Sequence, residues 1–124
     1  MITELEPLET EASYTFTDED RAILHSMEPL VDGLARLHGP HCEVLLHSLE
    51  DMSRSVVKIA NGHITGREVG SPVTDLAIKV LQNAREAESD VVGGYFTKTM
   101  SGKTLKSVTI LVRNFSGRRS AFSA

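Results

Sequence analysis

Between Asn61 and Asp75 the sequence reads Asn-Gly-His-Ile-Thr-Gly-Arg-Glu-Val-Gly-Ser-Pro-Val-Thr-Asp, with glycine at 62, 66 and 70 and proline at 72. Backbone breakers at that density end any regular element, so the chain has to turn here. Before the stretch, Ser55 to Asn61 is rich in β-branched Val and Ile and reads as a strand. After it, Val73, Leu76, Ala77, Val80, Leu81, Ala84 and Ala87 recur at helical steps, leaving Lys79, Gln82 and Glu86 to solvent. Ser71 is the predicted N-cap, with Pro72 at the first helical position, where its missing N–H costs nothing. A strand must therefore feed a helix through a polar, glycine-rich loop.

The flanking segments extend this pattern. Residues 1–16 have no apolar period and contain Pro7, so a mobile acidic leader is expected. Thr17 can cap a helix whose first turn, Asp18, Glu19 and Asp20, complements the positive end of the helix dipole. Ile23, Leu24, Met27, Leu30, Val31, Leu34 and Leu37 form its apolar stripe, and Gly39-Pro40 stops it. Pro29 predicts a kink or a division within this helix. Cys42 to Leu49 reads as a strand that pairs with Ser55 to Asn61 through a five-residue link. Val91 to Met100 and Thr104 to Arg113 form a second hairpin around Ser101-Gly102-Lys103. After a turn at Asn114 to Gly117, the segment 118–124 reads as the start of a fifth strand. Helix, two strands, helix and two or three more strands make an α+β pattern with an antiparallel sheet of four to five strands.

Composition narrows the function classes. A chain of 124 residues, 40% hydrophobic and 24% charged, suits one soluble domain with a core of its own. No segment has the length and apolarity of a membrane span, and the acidic N-terminus is not a secretory signal, so the expected location is cytoplasmic. The net charge of −4 disfavours direct nucleic-acid binding. His38, His41, Cys42 and His47 cluster in sequence without metal-ligand spacing, so no metal site is expected. Ser101-Gly102-Lys103-Thr104 lacks the upstream glycine and the following helix of a phosphate-binding loop. No nucleophile elbow marks a hydrolase, and the chain is not expected to be an enzyme.

The remaining candidates are Asn61, His63, Thr65 and Arg67, polar residues at alternate positions of the loop. Two readings stand for them. In one the turn bonds to itself, with Arg67 paired to Glu68 or Asp75. In the other they bind a ligand, Arg67 and His63 gripping a carboxylate or phosphate.

Four blocks carry a family resemblance: Gly39-Pro40-His41-Cys42-Glu43-Val44-Leu45-Leu46-His47, Asn61 to Arg67, Gly70-Ser71-Pro72-Val73-Thr74-Asp75, and Gly102-Lys103-Thr104-Leu105-Lys106-Ser107 before an apolar strand ending Arg113-Asn114. With these the chain resembles the YheO-like PAS domain family over about residues 20–117. The resemblance implies a PAS-like sheet with helices on one side and a leading N-terminal helix, its last strand lying between the first and the fourth. In this chain that strand is polar and short, which reads as truncated. The resemblance also implies the sensor half of a bacterial transcriptional regulator, homodimeric, which responds to a small-molecule metabolite and reaches DNA only through a separate C-terminal helix-turn-helix domain. It assigns no cofactor, neither haem nor flavin.

Overall fold

The computed structural model describes residues 16–114 and 119–123. The acidic leader, as far as residue 15, and the turn at 115–118 lie outside the described residues. Phe16, assigned from sequence to the leader, is instead a core residue, 4% exposed. A lone aromatic ahead of a cap carries no periodicity, which is why the pattern missed it.

Helix α1, Asp18–His38, begins with a reciprocal cap. The Thr17 hydroxyl accepts from the Asp20 amide at 3.1 Å, and the Asp20 carboxylate accepts from the Thr17 amide at 2.9 Å. Asp20 also accepts from Asn114 Nδ2 at 2.7 Å, tying the helix start to a position 94 residues later. The helix runs unbroken through Pro29. That residue is exposed, so the carbonyl deprived of its donor by proline sits on the solvent side, where water can serve it. Gly39 ends the helix at φ +87°, its amide donating to the Ala35 carbonyl at 2.8 Å. The buried stripe is narrower than the sequence pattern: Leu24, Val31 and Ala35 are buried, whereas Leu30 and Leu37 are 50% and 75% exposed.

Strand β1, Val44–His47, pairs antiparallel with β2, Val56–Ala60, around a 3₁₀ turn at Met52–Arg54. Helix α2, Asp75–Ala87, leads into β3, Val91–Lys98, then β4, Thr104–Arg113, and β5, Arg119–Ser123. The sheet order is β2-β1-β5-β4-β3, every neighbouring pair antiparallel. Two local hairpins thus form the flanks, and β5 joins them at the centre. The turn between β3 and β4 relies on Gly102 at φ +89°, with its amide bonded to the Thr99 carbonyl at 2.9 Å.

Helix α2 starts later than the sequence suggested. Ser71 is not its cap: the Ser71 carbonyl accepts from the Val56 amide at 3.1 Å, and Gly70 donates to the Val56 carbonyl at 2.8 Å. The loop is laid against the start of β2, and Thr74 caps instead, accepting from the Ala77 amide at 3.1 Å. Pro72 therefore lies before the helix rather than in its first turn.

Alternation along β1 divides the molecule into two layers. Val44 and Leu46 join Leu24, Val31 and Ala35 of α1 in the apolar cluster. Leu45 and His47 point to the other side, towards α2.

Candidate functional site

On that second side the sheet and α2 do not close on each other. A cavity of about 510 Å³ lies between them, a volume within the usual range of small-molecule sites, roughly 300–1,000 Å³. The sheet contributes Leu45, His47, Tyr95, Thr97, Ser107 and Thr109, the helix contributes Leu76, Ala77 and Leu81, and the glycine-rich loop contributes Ile64, Thr65 and Arg67. The register explains the sheet's share: Tyr95 lies opposite Ser107 and Thr97 opposite Leu105, so these two pairs show one face. Lys106 lies opposite Phe96 on the other face. Its side chain passes so close to Gly94 that a Cβ there would stand 2.6 Å from Lys106 Cε. Lys98 and Lys106 of the last hairpin also border the cavity.

Thr65 and Arg67 stand at the cavity as part of a fixed cluster. Glu43, whose side chain is 7% exposed, accepts from the Thr65 amide at 3.2 Å, the Thr65 hydroxyl at 2.7 Å and Arg67 Nη2 at 2.8 Å. Arg67 Nε donates to Thr65 Oγ1 at 3.1 Å. The partner of Arg67 is therefore Glu43, 24 positions earlier, and neither Glu68 nor Asp75. Sequence proximity pointed to the wrong acids because the loop folds back across the approach to β1. The cluster is half-buried, so its geometry is held by charge-assisted bonds rather than left to solvent.

Asn61 and His63 are placed elsewhere. Asn61 adopts the left-handed backbone conformation at φ 59°, and its Nδ2 donates to the carbonyls of Gly39 at 3.1 Å and Cys42 at 2.8 Å. It pins the turn after β2 to the end of α1. His63 is exposed in the 3₁₀ turn Gly62–Ile64, and neither residue borders the cavity. Gly62 is required between them, because a Cβ there would approach the Arg67 carbonyl oxygen to 2.5 Å.

His47, weighed in the sequence only as a metal ligand, takes a different place in the structure. It is 4% exposed, borders the cavity, and its Nδ1 lies 2.8 Å from Ser55 Oγ. Burial, and secondarily the positive charge of Arg67, lower its pKa to about 4, so it is neutral at physiological pH. The available signal was its even step from Leu45 along a strand whose opposite face packs on a helix. Tyr95 OH and Thr109 Oγ1 form a second polar pair at 2.7 Å on the same wall. Among the described residues no three His, Cys, Asp or Glu side chains converge as a metal site. No described helix is long and apolar enough to cross a membrane.

Comparison with known proteins sets this architecture in context. A model of the YheO-like PAS domain matches residues 17–122. An uncharacterized protein of Haemophilus influenzae is 52% identical over 101 residues, covering 82% of this chain and 45% of the relative. The uncharacterized protein YheO of Escherichia coli K12 is 52% identical over 99 residues, covering 80% of this chain and 41% of its own length. The transcriptional regulator DauR of Pseudomonas aeruginosa is 33% identical over 97 residues, covering 77% and 42% respectively. The chain thus spans less than half the length of these relatives.

Proposed function

This chain belongs to the YheO-like PAS domain family, and from that premise we propose that it is the sensory domain of a cytoplasmic bacterial transcriptional regulator. A small-molecule metabolite enters between the sheet and α2, the bound state is favoured, and the change passes to a helix-turn-helix domain attached beyond the sensor. DNA is reached only through that domain. The regulator role rests on the family and on a relative named as a transcriptional regulator; sensing rests on the cavity of about 510 Å³, apolar on the α2 side and polar on the sheet side. Thr65 and Arg67 are the proposed contacts, while Asn61 and His63 shape the turn that carries them. The chain works as a homodimer and not as an enzyme.

The test is thermal melting with amino acids, organic acids, nucleotides and uncharged metabolites at millimolar concentration. A compound present at about 100 times its Kd stabilises the native state by about 2.7 kcal/mol, which a melting curve reads easily. Absence of a shift across the whole panel would remove ligand sensing from the proposal.

A second reading, a ligand-free dimerisation module, is favoured by one observation. Leu30 and Leu37 stand 50% and 75% exposed, seven residues apart on the same side of α1. Under this reading, L30E and L37E abolish association measured by light scattering, and no small molecule alters the melting curve.

A further inference from the structure

We infer that a second copy of this chain docks on the sheet face beside α1, each α1 lying across the β3–β4 hairpin of its partner. The inference rests on the homodimer reading above and gives that dimer its surface.

Helix α1 covers only half of the sheet, packing over β1 and β2. Its Asp32 meets Lys58 of β2 at 3.2 Å, so that side of the helix looks to the β2 edge. At about 100° per residue, Ile23, Leu30, Leu34 and Leu37 lie about 140–200° around the helix from Asp32. They turn towards the other half of the sheet. The register runs Leu46, Phe122, Ile110 across the centre, so Ile110 shares the face on which α1 lies. Val91 is opposite Ile110 and Phe96 is opposite Lys106 on that same face, and they stand 56% and 70% exposed. The flank of α1 and the face of the hairpin thus form two sides of one open apolar angle.

Charge identifies what covers it. The segment 91–113 holds Lys98, Lys103, Lys106 and Arg113 and no acid. Lys98 and Lys106, exposed at the open end of the hairpin, form no ion pair among the described residues. Glu19, exposed at the start of α1 and on the same flank as Leu37, forms none either. The two cannot meet within one chain. Asp20, next to Glu19, is bonded to Asn114 beyond the end of β4, whereas Lys106 stands near the start of that strand. A two-fold axis reverses the second helix and brings the partner's Glu19 to Lys106. It also brings the partner's Leu30 to Ile110 and Val91, since Leu30 lies about 16 Å from Glu19 along the helix and Ile110 about 13 Å from Lys106 along the strand. The same axis repeats the contact with the roles exchanged, so the surface closes on itself as a dimer.

The experiment is sedimentation velocity of the purified chain over a range of concentrations, with melting curves to verify that each variant is folded. Phe96→Glu and Leu30→Glu are expected to raise the dimer Kd at least about thirtyfold. Val69→Glu, at a residue 61% exposed on the glycine-rich loop, is expected to leave it unchanged. Glu19→Lys, and Lys98→Glu with Lys106→Glu, are each expected to weaken self-association about five- to tenfold. An equimolar mixture of these two proteins is expected to associate within about threefold of the wild type, because each α1 then meets a hairpin of opposite charge. A dimer that Phe96→Glu and Leu30→Glu leave intact, or a mixture no tighter than its components, overturns the surface and leaves the homodimer reading standing. A wild-type chain that stays monomeric at millimolar concentration removes both. If, in that monomer, deletion of residues 1–15 moves the NMR signals of Val91 and Phe96, the face belongs to the acidic N-terminal segment instead.

Discussion

The two faces of β1 are made of adjacent residues and behave as opposite environments. Val44 and Leu46, both fully buried, meet the stripe of α1 in a dry apolar layer. Leu45 and His47, hardly more exposed, look into an open cavity with hydroxyls, an imidazole and an ion pair on its walls. The strand has four residues, yet it supplies the core on one side and the candidate site on the other. A single side-chain alternation thereby sets core packing on one side and the wall of the candidate site on the other, with Leu49 and Leu81 belonging to both the apolar cluster and the cavity lining.

That separation can be broken or sharpened by mutation. Leu46→Ala empties a fully buried position on the dry side and is expected to cost about 3 kcal/mol in urea unfolding. The pH dependence of His47 is expected to reach a similar size. Its folded pKa of about 4 lies below the ordinary 6.5, so between these values the unfolded chain binds a proton that the native chain does not. Stability therefore rises with pH through this window and is lost as pH falls from 6.5 towards 4, by on the order of 3 kcal/mol in full. The measurement is the difference between the wild type and His47→Gln, which cancels the contribution of other groups. Glu43→Gln removes the charge that holds Arg67 and Thr65 and is expected to cost about 1–2 kcal/mol, with altered amide signals in the loop. The smallest effect is expected from Leu76→Ala on the cavity rim, where the side chain is 46% exposed: under about 1 kcal/mol by urea titration. If Leu76→Ala proved as costly as Leu46→Ala, the two faces would form one continuous core and the distinction would fail.

What the sequence disclosed follows from how local each signal is. The cap at Thr17, both hairpins and the α+β order were legible because they depend on residues close together in the chain. The Glu43–Arg67 pair and the Asn61 bonds to Gly39 and Cys42 were not, since 24, 22 and 19 positions separate the partners. The start of α2 was misread for a related reason. Ser71-Pro72 has the local chemistry of a helix start, but pairing with Val56 takes the Ser71 backbone first. Leu30 and Leu37 fitted the helical period and still face outwards, because periodicity gives a direction on the helix without the width of the surface that will cover it. His47 remained hidden among apolar neighbours, and only the cavity gives it a distinct role.

The sheet order has a further consequence for how the molecule is made. β5, the last of the five strands in the chain, pairs with β1, more than 70 residues earlier, and with β4 beside it. During synthesis the two hairpins can form from local contacts as each leaves the ribosome, but they remain separate pieces of sheet until β5 emerges. The cavity wall, with Leu45 and His47 from one hairpin and Tyr95, Ser107 and Thr109 from the other, is assembled only at that step. The cavity therefore forms late and all at once, only when β5 is in place.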